Sequence, residues 1–181
     1  MDLLGNGSSG EPPAWLTPAE VAGLEPVLDG AALLGAELEP RYRVLALTVE
    51  PRPDRYLWQP RPRDLRLQVL ASPVSTMLVT LRRTGADGAR ELLTFADEQL
   101  LDVVAALDGP PLTGPILAQP EPRPGEWAPR FSLEGRSTAP DGTARTLRFE
   151  IEHDDLWLGV FARFDQIEVR DATGSALRLP S

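Results

Sequence analysis

The chain has 181 residues and no cysteine, which removes disulfides, thiolate metal sites and cysteine nucleophiles and leaves room for one well-buried domain rather than two. A hydrophobic fraction of 42%, with no apolar run approaching the length of a bilayer span, describes a globular chain without a membrane helix. The net charge of −9 lies mostly in the second half, where 16 acidic residues face 8 arginines, and this opposes general binding of nucleic acid.

Residues 1–13 are small, polar and proline-bearing, the composition of a disordered tail. They lack the basic and apolar regions of a secretory signal, so a cytoplasmic location is expected. Gly5, Gly7 and Gly10 are spaced as GxGxxG, but no strand precedes them and no helix opens after them, so they form no dinucleotide fingerprint. The domain proper, residues 14–181, starts with Thr17-Pro18-Ala19-Glu20. There the threonine and glutamate form a capping box and proline takes the first helical position. Pro26 and Asp29-Gly30 then predict an early stop, leaving a short N-terminal helix before 31–39 enters the sheet.

Leu45, Leu47 and Val49 alternate with Ala46, Thr48 and Glu50, predicting a strand. A loop with prolines at 51, 53, 60 and 62 follows. Two further strands are expected at 64–71 and 76–83, with Ser72-Pro73 turning between them, and a Gly-Ala-Asp-Gly hairpin then leads into 90–95. Leu100, Leu101, Val103, Val104 and Leu107 change the period to 3.6, with Thr94 or Asp97 available as a cap. The spacing predicts the best-formed helix of the chain, over about 95–107 and ended by Gly109-Pro110-Pro111. A proline-rich connector covers 114–128, and strands are expected at 131–136 and 143–152 around a turn at Pro140-Asp141-Gly142.

The clearest pattern lies in 155–174. Leu156, Leu158, Val160 and Ala162 alternate with Trp157, Gly159, Phe161 and Arg163, which reads as a central strand. After Phe164 and Asp165 the alternation resumes with Ile167 and Val169 against Glu168 and Arg170, which reads as a separate, more exposed neighbour. A short last strand is expected at 175–179. The fold class is therefore α+β: a mainly antiparallel, strongly bent sheet or open barrel with one well-formed helix and one short N-terminal helix.

Asp64–Ala71 (DLRLQVLA) and Asp155–Ala162 (DLWLGVFA) share five of eight residues, and the strands before them, LALTVE and LRFEIE, share apolar phase and final glutamate. Two related halves, about 31–95 and 129–179, are one explanation, with the proline-rich loop inserted in the first. Convergence of amphipathic strands is the other.

The run Ser72-Pro73-Val74 to Leu81-Arg82-Arg83, then Asp108-Gly109-Pro110-Pro111 to Gly114, then Phe164-Asp165, Ile167, Val169-Arg170-Asp171 and Gly174, resembles an uncharacterised actinobacterial family. In that family aromatics follow the glycine, where this chain has Pro115, Ile116 and Leu117. The resemblance implies a β-rich single domain and no chemistry.

No catalytic, cofactor or metal constellation emerges. His153 is the lone histidine, beside Asp154 and Asp155 in a turn, and lacks a second soft ligand. Glu150 and Glu152 alternate as an outward strand face does. A non-enzyme is therefore expected, with no cofactor.

The local anomaly is 41–83, where nine arginines meet three acidic residues and three aromatics interleave. Tyr42, Arg52, Arg55, Tyr56, Trp58 and Arg61 are the candidate partner-binding residues, of types enriched at interaction hot spots. Packing of the loop over a sheet edge, contact with a protein and contact with nucleic acid are the three readings of that stretch. The functional expectation is a non-catalytic interaction module, immunity-like or accessory. Its alternative is a small-ligand carrier with an apolar cavity beside Trp157 and Phe161.

Overall fold

The structure is a computed structural model that describes residues 15–41, 43–94, 96, 99–127, 131–134 and 144–180. The predicted tail, Tyr42, the Asp97 cap and the Pro140-Asp141-Gly142 turn lie outside the described residues. Helix α1 (Pro18–Leu28) precedes strands β1 (Ala32–Glu39), β2 (Val44–Glu50), β3 (Leu67–Thr84) and β4 (Arg90–Leu93). Helix α2 (Leu100–Ala105) is followed by β5 (Phe131–Glu134), β6 (Arg145–His153), β7 (Leu156–Asp171) and β8 (Ala176–Leu177). All eight strands belong to one antiparallel sheet with the path β1-β2-β3-β7-β6, β4 and β5 on β3 and β8 on β7. The sheet stays open. No described helix is long and apolar enough to cross a membrane.

Two long strands form the spine. β3 runs 18 residues and β7 runs 16, and they pair from Leu67↔Asp171 to Arg83↔Leu156. The turn expected at Ser72-Pro73 is instead a point inside β3, and the break expected after Phe164-Asp165 is a point inside β7. Pro73 has no N–H to give, and the ladder passes from Ser72↔Gln166 to Val74↔Phe164 around it, with a bulge before Thr76. Core-facing residues change phase here, from Val69 and Ala71 to Val74 on β3 and from Phe164 to Ile167 on β7. A phase change without a chain reversal is a bend. Arg43, whose own N–H donates to Pro40 O at 3.3 Å, meets β3 at this bend. Its carbonyl accepts from Val74 N (2.7 Å) and its Nε donates back to Val74 O (2.7 Å).

The second half of β7 is also less exposed than expected. Glu168 is buried, and its carboxylate accepts from Arg170 Nε at 2.8 Å, so the charge taken out of water is met two residues along the same strand.

The helices exchange rank. In α1 the Thr17–Glu20 box forms in both directions, and the helix continues through Pro26 to bury Leu24, Val27 and Leu28. The helix expected over 95–107 is the six-residue α2, without a side-chain cap and closed by left-handed Asp108 and Gly109. Two valines in a run of six and no cap leave little to extend it.

The sequence likeness between the two hairpins has a geometric counterpart. β2 pairs with β3 as Leu45↔Ala71, Leu47↔Val69 and Val49↔Leu67, and β6 pairs with β7 as Leu147↔Ala162, Phe149↔Val160 and Ile151↔Leu158. Laying LALTVE on LRFEIE and DLRLQVLA on DLWLGVFA carries each of these pairs onto the other. The order β2-β3-β7-β6 also reads the same from either end.

Candidate functional site

The segment between β2 and β3 begins at buried Pro51 and is otherwise mostly exposed until Leu67. Arg55 N donates to Arg52 O at 2.8 Å, closing a turn. Beyond it neighbouring side chains differ sharply in burial. Tyr56 enters the core and keeps 5% of its surface, whereas Leu57 keeps 39% and is the exposed large hydrophobic residue among the described ones. Trp58 turns back in, packs against the core, and donates Nε1–H to Arg178 O at 2.6 Å. The Tyr56 and Trp58 rings meet edge to face at 5.4 Å.

These two rings are pins, and the loop is fastened further at their anchorage. Arg178 donates to Trp15 O at 2.6 Å and lies 3.5 Å from the Glu20 carboxylate, tying the last segment to the start of α1. Burial, with the Asp171 charge beside it, pushes the Tyr56 hydroxyl above its usual titration range. Hydrogen bonds from Thr173 and Ser175 hold Asp171 itself below the usual carboxylate range, although burial works against its charge.

The arginines face water. Arg52 bonds Asp54 at 3.2 Å, its stem lying along Gly30, where a Cβ would stand 3.1 Å from Arg52 Cδ. Arg55 is 4.0 Å from the same carboxylate. Arg66 clasps Asp64, and these hydrogen bonds hold the aspartate down at about 2. Arg61 and Arg63 are exposed and make no ion pair among the described residues.

The structure thus separates the six candidates. Arg52, Arg55 and Arg61 are at the surface, Tyr56 is buried, Trp58 is half-buried, and Tyr42 lies outside the described residues. Tyr56 is held by the core and Trp58 by the core and the Arg178 carbonyl, so both support the loop from its inner side. Leu57 was missed. The inward neighbours on each side were its only sequence signal.

A second cluster occupies the opposite face of the spine. Trp127, from the connector, keeps 1% of its surface and packs on Leu78 and Phe161. Trp157 meets its edge at 5.7 Å, Arg82 lies 4.9 Å over Trp157, and Arg148 lies 5.0 Å over Trp127. Thr80 Oγ1 donates to Trp127 O at 3.0 Å, and Arg82 donates to Glu126 O at 2.8 Å. Arg148 also pairs with Glu126 and Glu150. The Arg123 N–H and then Arg148 hold Glu126 below the usual carboxylate range. The surface expected to line a ligand cavity is therefore occupied by an indole.

Of the remaining candidates, Glu150 and Glu152 are exposed, as expected for a strand's outer face, and His153 Nε2 is 3.6 Å from Asp154 in the β6–β7 turn. Among the described residues no three His, Asp or Glu side chains gather as a metal-binding group. No family model matches the chain, and no curated protein or solved structure is significantly similar to it. The resemblance to an actinobacterial family therefore rests on the quoted sequence residues alone.

Proposed function

We propose that this protein is a cytoplasmic, non-catalytic protein-binding module, accessory or immunity-like in role, whose contact surface is the outward row of the β2–β3 loop. The observation that carries the reading is the split along that loop. Tyr56 and Trp58 are driven inward while Arg55, Leu57 and Arg61 are left outside. Ordering a mobile side chain at an interface costs about 0.5–1.5 kcal/mol. A loop already pinned at two aromatic residues has met part of that cost on folding. Arginine is a residue type enriched at interaction hot spots, and exposed Leu57 adds apolar area beside it. The alternative of a small-ligand carrier has less support, since Trp127 fills the space beside Phe161 that a ligand would need.

The test is a triple variant, Arg55→Ala/Leu57→Ala/Arg61→Ala, which leaves both pins in place. Its thermal melt should match the parent, and affinity capture from the native host should lose the partner. Retention of the same partners by a folded triple variant would remove the loop as the contact surface.

A further inference from the structure

We infer that the partner taken by the β2–β3 loop presents an acidic protein surface with carboxylates placed for Arg61 and Arg63, and this inference rests on the reading of the loop as the contact surface. Residues 51–66 carry five arginines and two aspartates in a chain whose net charge is −9. The loop is thus a basic projection from an acidic molecule.

Its charges are not equivalent. Arg52 and Arg66 are held by Asp54 and Asp64, and Arg55 lies 4.0 Å from Asp54. Arg61 and Arg63 are exposed, have no carboxylate partner among the described residues, and stand on either side of Pro62. Proline fixes φ and removes a donor, so this Arg-Pro-Arg step offers two guanidinium groups on a stiffened backbone with no backbone N–H between them. A guanidinium is suited to paired bonding with a carboxylate or a phosphate.

Two observations favour carboxylates. Asp54 and Asp64 interrupt the basic stretch and would repel a continuous phosphate backbone, whereas discrete carboxylates can be spaced around them. Leu57, exposed between the pins, adds an apolar contact that a folded protein surface can match. Discrete acidic side chains beside an apolar recess fit all three residues.

The experiment replaces Leu57 with a photo-reactive amino acid in the full chain, irradiates it in the native host, and identifies the attached molecule by mass spectrometry. It is repeated on the Arg61→Glu/Arg63→Glu background and, as a control for net charge alone, on Arg90→Glu, an exposed arginine on β4. The expected result is attachment to a protein segment rich in Asp and Glu. Its yield should fall at least tenfold with the double reversal and less than twofold with Arg90→Glu. Attachment to a protein segment without an acidic excess, or a yield indifferent to the double reversal, would overturn the acidic partner while leaving the loop as the contact surface. Attachment to nucleic acid would overturn both, and so would no attachment at all.

Discussion

A methyl group at position 159 would stand 2.6 Å from Trp157 Cη2 and 3.0 Å from the Trp127 ring. Glycine is required there because the connector's indole lies directly on the β7 backbone. Its reason is close approach rather than unusual dihedrals. Gly159→Ala should therefore cost about 1–3 kcal/mol, the usual penalty for overfilling a packed core. Urea titration followed by tryptophan fluorescence would measure it, and a neutral result would mean that Trp127 is not seated on this strand. In the sequence, Gly159 is visible only as a small residue in an otherwise bulky alternation. Trp127 is not legible at all, because a proline-rich connector has no period from which to read a direction. The same limit applies to the loop: composition marks Tyr56 and Trp58 as candidates, but only their neighbours in space decide that they face inward.

At the scale of elements, α1 acts as a clamp between distant parts of the chain. Glu25 accepts backbone N–H groups from Ile116 and from Leu117 (2.7 Å), although 91 and 92 residues separate them. Ile116 is fully buried, so removal of the carboxylate leaves two donors stranded away from water. Glu25→Ala should cost about 2–4 kcal/mol, given that bonds to charged groups contribute about 1.5–3 kcal/mol each and do not add fully. Chemical denaturation would show it, and a loss below 1 kcal/mol (about the value of one neutral bond) would mean the clamp is dispensable. The cap of this helix was readable, since Thr17 and Glu20 interact within four residues. The clamp was not, because a glutamate on a helix looks the same in sequence whether it meets water or a remote amide. Strand positions were legible from alternation, but strand ends were less so. At Ser72-Pro73 and at Phe164-Asp165 the apolar phase slips, and a slip reads as an end when it is a bend. The second helix was overestimated for the converse reason, since its apolar spacing continues through Leu107 while its hydrogen bonds tighten after Ala105.

At the scale of the molecule, the mirrored order and shared register of the two hairpins lead us to propose that the halves arose by duplication, with the β2–β3 loop as the later addition to the first. The connector divides along the same line. Pro110 and Leu112 bond to Leu33, Ala31 and Gly30 of the first half, and Ile116 and Ala118 bond to Arg148 and Thr146 of the second. Between them Gly114 is exposed and left-handed, with nothing within 4 Å of where a Cβ would stand. Each hairpin closes through local contacts, whereas the β3–β7 pair must bring Arg83 to Leu156 across a long intervening chain, the slower kind of contact to form. On that proposal the spine is a subunit-like interface held within one polypeptide. Severed at Gly114, the two pieces should each be poorly folded alone and should reassemble when mixed, recovering the far-ultraviolet dichroism of the intact chain. Failure to reassemble at micromolar concentrations would show that β3 and β7 need their covalent link in order to meet.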